Sequence, residues 1–183
     1  SQVRWAAMDM VRSLFCLLPL DGAFAGMLDA RVAEVFGGET VRLRSSSNAE
    51  DLPGFSGAGL YTSLSANRPG EPASRRICEV WASAWNWNAV EERTFWNVDQ
   101  AATRMGVAVA TAYPTEAANG VLVTKNLANP LTYGMYVNVQ VGEISVTNPV
   151  NGAIPEVFSI VPAPDSIQVA RQRYSSLSPD APV

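Results

Sequence analysis

The sequence contains no histidine. That removes every Ser-His and Cys-His nucleophile pair, every histidine general base and every histidine metal ligand from this chain. It has two cysteines, Cys16 and Cys78. They are too few and too far apart for a zinc knuckle or a disulfide scaffold, so both read as small inert hydrophobes. Charge is sparse at 16%, and the net charge is −4. An acidic balance argues against a nucleic-acid or polybasic membrane binder. Long apolar runs are missing too. The stretch from Leu14 to Leu20 is interrupted by Pro19 and flanked by Arg12 and Asp21, too short to span a bilayer. Asp9 stands where a signal peptide needs basic residues, so a soluble, cytoplasmic protein is expected.

What remains is a chain of 183 residues with 48% apolar content, enough for one domain with a real core. Lysine is almost absent: Lys125 stands alone beside twelve arginines. Arginine suits fixed forks on phosphate or carboxylate, although genome composition produces the same bias.

Periodicity places the elements. Trp5, Met8, Val11, Arg12 and Phe15 recur at helical spacing over 3–18. A second helix runs from Asp21, a suitable N-cap, to Phe36, with Ala23, Met27, Ala30 and Val35 as its apolar stripe and Gly37-Gly38 as its stop. Residues 40–44 alternate as a strand, 45–59 read as a loop, 60–64 as a further strand and 65–72 as a turn. From Pro72 to about Arg104 the pattern is helical, with Ile77, Val80, Trp81, Ala84 and Trp85 on one face. Gly106–Tyr113 reads as a buried strand, Gly120–Thr124 as its hairpin partner, and Tyr133–Val141 as an alternating strand continued at 144–147. The Pro-containing tail from 162 to 183 is expected to be irregular. Helices first and a mainly antiparallel sheet after them make an α+β fold.

Chemistry concentrates in VRLRSSSNAEDLPGFSGAG, residues 41–59. Arg42 and Arg44 share one strand face by period two. Gly54, Gly57 and Gly59 let backbone N–H groups approach an anion closely, and arginine adds a bidentate fork. The segment is therefore a candidate phosphate clasp, weighed against an ordinary surface turn. Glu50 and Asp51 offer hard oxygens for Mg²⁺; a cap or a salt bridge to Arg42 or Arg44 is the plainer role. Trp81 and Trp85 read as core. Trp87 or Trp96 is expected to be partly exposed.

This segment resembles the Arg-Ser-Ser-x-x-x-Glu-Asp-Leu-Pro…Ala-Gly signature of the PEP/pyruvate-binding, ATP-grasp-type domain. That domain occurs in phosphoenolpyruvate synthase, pyruvate phosphate dikinase, rifampicin phosphotransferase and glucan water dikinases. Val80–Ser83 with Ala89 is similar to the family's helix after the loop. Met105–Val109, Pro114, Glu116 and Asn119–Thr124 are similar to its central hairpin. Val139–Glu143 with Thr147-Asn148-Pro149 is similar to the strand-turn-strand that follows. The resemblance covers about 28–160.

It implies an ATP-binding half-site: Arg44 and Gly59 on the nucleotide phosphates, Ser63 and Thr62 beside them, and Gly57 within the loop. It implies ATP with Mg²⁺, whose ligands would lie outside this chain, and an unknown phosphoryl acceptor. The phosphate usually goes to a histidine on a separate domain, so the missing histidine is no contradiction. The family's adenine-side glutamine is Ala110 here, and its N-terminal lysine has no counterpart. Its closing Glu…Gln-x-Arg strand is not matched; Ile167–Arg171 only mimics it. The chain is thus expected to be an incomplete ATP-grasp-like fragment of a longer protein, inactive alone. The competing expectation is a degenerate domain serving as a non-catalytic binding or structural module.

Overall fold

The computed structural model describes residues 2–142, 144, 146 and 152–177. The chain divides into two compact units, residues 1–112 and 113–183.

The first unit opens with two helices, α1 (Gln2–Leu17) and α2 (Gly22–Phe36). Asp21 caps α2 as expected: its Oδ1 accepts from the Phe24 N–H at 2.8 Å. Gly37, at φ 60°, ends the helix. The buried stripe differs from expectation. Met27 and Val35 are exposed, whereas Val32 is buried and Leu28 and Phe36 pack beside it. Both faces of α2 are apolar, so spacing alone does not choose between them.

Strand β1 (Val41–Ser47) extends three residues beyond the expected 40–44. The following loop contains a small hairpin, β2 (Asp51–Leu52) and β3 (Phe55–Ser56), turned by Pro53-Gly54. Gly54 has φ 79°, as the second turn residue after a proline requires. The next strand is β4 (Leu64–Ala66); of residues 60–63, expected as strand, 60 and 61 are a bend and 62 and 63 are irregular.

The single helix expected over 72–104 is broken. It comprises α3 (Ala73–Ala82), a 3-10 turn (Ser83–Trp85) and α4 (Trp87–Phe95). Asn86 makes the break. Its backbone is extended, and its Nδ2 donates to Leu60 O at 3.0 Å. Residues 97–104 are not helical.

Strand β5 (Met105–Thr111) completes an antiparallel sheet in the order β4-β1-β5. Val41, Leu43, Leu64 and Ala66 on one face meet Ile77 and Val80 of α3 and Val32 of α2, with Val107 and Val109 packed alongside. Full burial of a Val or Leu side chain contributes about 1.5–3 kcal/mol, so this apolar layer fixes which sheet face points outward. β5 is half-buried rather than buried: Gly106 and Ala108 are exposed on the outward face. Trp81 is half-buried against this core, 6.0 Å from the Phe24 ring.

The second unit is a four-stranded antiparallel meander of β6 (Ala118–Val123), β7 (Met135–Val141), β8 (Glu156–Ala163) and β9 (Ser166–Arg173). Two expectations fail here. β5 and β6 do not form a hairpin, because β5 pairs with β1 and β6 with β7. The turn expected over 114–119 does not fold β6 back onto β5; residues 112–117 lead instead into a strand of the other sheet. The tail is also not irregular from 162 onward, since β8 and β9 pair across its first part. All β9 side chains are exposed, and the alternation of Ile167 and Val169 with Ser166 and Gln168 is too short to mark a strand before Arg171 and Arg173. The expected continuation over 144–147 falls partly on residues outside those described.

Among the described residues, no single helix is long and apolar enough to cross a membrane; α1 and α2 would do so only as a pair, and they are bent by 78°.

Candidate functional site

The outward face of β4-β1-β5 is built by register. Arg42 lies opposite Ser65 on one side and Ala110 on the other; Arg44 lies opposite Ala108, and Ser46 opposite Gly106. Directly paired residues share a face, so these side chains form one patch. The three β5 positions carry the smallest side chains available. Nothing from β5 therefore covers the guanidinium groups.

Arg44 is exposed, and among the described residues it has neither a hydrogen bond nor an ion pair. Arg42 is half-buried, and its Nη1 donates to Ser65 Oγ at 3.3 Å. Neither Glu50 nor Asp51 forms the salt bridge considered for Arg42 or Arg44. Glu50 instead accepts weakly from the Ser47 N–H at 3.4 Å.

Beyond Leu43 the β1–β4 backbone ladder stops, and side chains take over. The Ser45 N–H donates to Ser63 Oγ at 3.1 Å, and the two hydroxyls lie 3.3 Å apart. The structure thus brings Ser63 to the edge of the strand that carries Arg44. Thr62 sits one residue earlier, its Oγ1 accepting from Asn86 at 3.4 Å.

The two loop glycines differ in role. Gly57 faces its own hairpin: a Cβ there would lie 3.0 Å from Glu50 Cα and 3.1 Å from Ala49 O. Its N–H donates to Glu50 O at 2.6 Å. Gly59 has φ 80° and open space around its Cβ position. Its backbone requires glycine, and its surroundings leave room for a ligand. Among the described residues, no hydrogen bond joins Arg44 to either glycine.

The loop is anchored at both ends. Asn48 bonds Ala102 O through Nδ2 at 3.0 Å, and the Arg104 N–H through Oδ1 at 2.7 Å. Tyr61 is buried and donates to Ala49 O at 3.0 Å. Behind Tyr61 stands Arg93, 1% exposed. Its guanidinium donates to Tyr61 Oη at 3.2 Å, Ala84 O at 2.6 Å and Gln100 Oε1 at 2.8 Å. Sequence reasoning missed Arg93. Its partners lie far from one another in sequence, and only its place on the inner side of a helix gave a signal. Asp29 was missed for the same reason. It accepts from the Ser74 N–H at 2.9 Å and so caps α3 from a neighbouring helix.

The candidate face is exposed at Arg44, Gly106 and Ala108. Two overlapping grooves of about 420 and 550 Å³ lie elsewhere in the first unit, around Cys16, Arg75 and Cys78. Their position does not displace the arginine face as the candidate, because they carry no glycine-rich backbone and no unpaired guanidinium fork beside it. Among the described residues, no three metal-ligating side chains cluster. Mg²⁺ therefore has no ready site among them, and no step is assigned to it.

This arrangement can bind an anion: an uncovered guanidinium on a rigid strand, hydroxyls at the strand edge, and an adjoining turn whose backbone is open at Gly59. The family description "Pyruvate phosphate dikinase, AMP/ATP-binding domain" matches residues 19–173. The match takes in α2, the whole β4-β1-β5 sheet, the loop and β6 to β9, and leaves α1 outside. The α+β organisation agrees with it, and the chain belongs to the pyruvate phosphate dikinase AMP/ATP-binding domain family.

Proposed function

We propose that this chain is the nucleotide-gripping portion of a dikinase-like phosphotransferase, with Arg44 as its principal phosphate ligand. One observation carries the reading: an unpaired, exposed guanidinium on a rigid strand, flanked by Ala108 and by the Ser63 edge, within the family match. Arg44 would fork two phosphate oxygens. The Gly59 turn would bring backbone N–H groups alongside, and Ser63 and Thr62 would add hydroxyl donors. Gly57 would act indirectly, by letting the β2–β3 hairpin close and so holding the turn in place.

On this reading the chain binds nucleotide, and turnover needs groups supplied from elsewhere. Remaining domains of a longer chain would supply the metal ligands and the acceptor.

Calorimetric titration with MgATP tests the proposal. Arg44→Ala should weaken binding about tenfold or more, since a hydrogen bond to a charged group contributes roughly 1.5–3 kcal/mol. Its circular dichroism should match the parent. Equal affinity in a folded Arg44→Ala protein would remove Arg44 from the site.

A further inference from the structure

We propose that Arg42 is a second phosphate ligand, and that the Arg42–Arg44 pair makes the face selective for polyphosphates over monophosphates. The inference rests on the nucleotide reading above and adds to it a residue and a ligand preference.

Four observations carry it. Arg42 and Arg44 are two residues apart on one strand, which sets their Cα atoms about 6.6–6.8 Å apart on the same face. The cross-strand residues on β5 are Ala110 and Ala108, so neither guanidinium is covered from the β5 side. Neither arginine has a carboxylate within ion-pair distance among the described residues, and the patch formed by Arg42, Arg44, Ser46, Ser65, Ala108 and Ala110 contains no acidic side chain. Lastly, Arg42 is held rather than loose. Ser65 Oγ accepts from its Nη1 at 3.3 Å, which fixes the stem and leaves its other N–H groups free to donate.

Two uncompensated cations held side by side on a sheet repel each other, and a ligand that bridges them relieves that repulsion. A phosphate chain carries more terminal oxygens and more charge along its length than one phosphate group, so it is better able to engage both forks at once. The ligand class that fits is a nucleoside di- or triphosphate, or inorganic tripolyphosphate, rather than a nucleoside monophosphate.

The test is titration of the full chain with ATP, ADP, AMP and inorganic tripolyphosphate. The variants are Arg42→Ala, Arg42→Lys and Arg44→Ala, each checked for folding by circular dichroism. The parent should bind ATP and tripolyphosphate at least tenfold more tightly than AMP. Arg42→Ala should lose about tenfold for ATP and tripolyphosphate and little for AMP. Arg42→Lys should recover only part, because lysine lacks the planar fork. Salt dependence gives a second readout: the slope for tripolyphosphate should be shallower in Arg42→Ala. Should Arg42→Ala bind ATP as the parent does while Arg44→Ala fails, the two-fork proposal falls and the single-fork site stands. Should the parent bind none of the four ligands, both readings fall.

Discussion

At the scale of single residues, position in the pleat decides what each side chain can do. Arg44 and Arg93 are the same amino acid with opposite fates. Arg44 was legible in sequence, because alternation along β1 sends it away from Leu43. Arg93 was not, because Tyr61, Ala84 and Gln100 converge on it only after folding. Its buried charge is met entirely by neutral oxygens among the described residues. Arg93→Met should strip three acceptors of their donor and lower stability by roughly 2–4 kcal/mol in urea unfolding. Tyr61→Phe should cost roughly 1–3 kcal/mol, since Ala49 O loses its donor and Arg93 an acceptor. The glycines separate in the same manner. Gly57→Ala should destabilise by roughly 1–3 kcal/mol through overpacking against Glu50. Gly59→Ala should cost about 1–2 kcal/mol through left-handed backbone strain alone. Equal unfolding midpoints for Gly57→Ala and the parent would contradict the close approach.

At the scale of elements, periodicity revealed the helices but not which side they bury. The spacing over 72–104 was helical throughout, yet Asn86 prefers the Leu60 carbonyl to another helical turn. α3 was best read, with Ile77 and Val80 buried as their spacing suggests, and Ala84 of the following 3-10 turn buried with them. Trp81 proved half-buried rather than core, so Trp81→Ala should cost roughly 2–3 kcal/mol in urea unfolding, below the range for a fully enclosed tryptophan. The cysteines, read as inert, line the same grooves beside α1 and α3. Partial burial pushes the Cys16 thiol up to about 11, helped by a hydrogen bond with Cys78 and by the Glu79 carboxylate, while Arg12 pulls the other way. The folded state therefore favours the neutral thiol. That contribution is whole below pH about 9 and is lost as pH climbs toward 11. At pH 8 the thiolate fraction should be about a hundredfold below that of an ordinary thiol, so iodoacetamide should label Cys16 slowly. Labelling at the rate of a free thiol would contradict the pairing.

At the scale of the whole molecule, the order of helices and strands gave the α+β class, and the signature at 41–59 gave the family. The division into two units was not legible. It depends on which strands pair, and β5 and β6 read equally well as partners. β9 escaped notice because, exposed on both faces, it carries only Ile167 and Val169 as an apolar rhythm before arginines take over. Tyr113 stands exposed in the connection between the units, and Tyr133 in the loop before β7. Because Pro114 follows Tyr113 and blocks cleavage there, limited chymotrypsin treatment should cut first after Tyr133 and leave the first unit intact; early cuts within β1 or α3 would argue against that division.

The serine that replaces a backbone partner at the end of the β1–β4 ladder has a spectroscopic consequence. The Ser45 amide is held by a hydroxyl, not by a neighbouring strand. Its hydrogen exchange should therefore follow the rotamer of Ser63 rather than the opening of the sheet. Any molecule that recruits that hydroxyl would change the exchange rate of an amide it never touches, which makes Ser45 a built-in reporter of occupancy at the sheet edge.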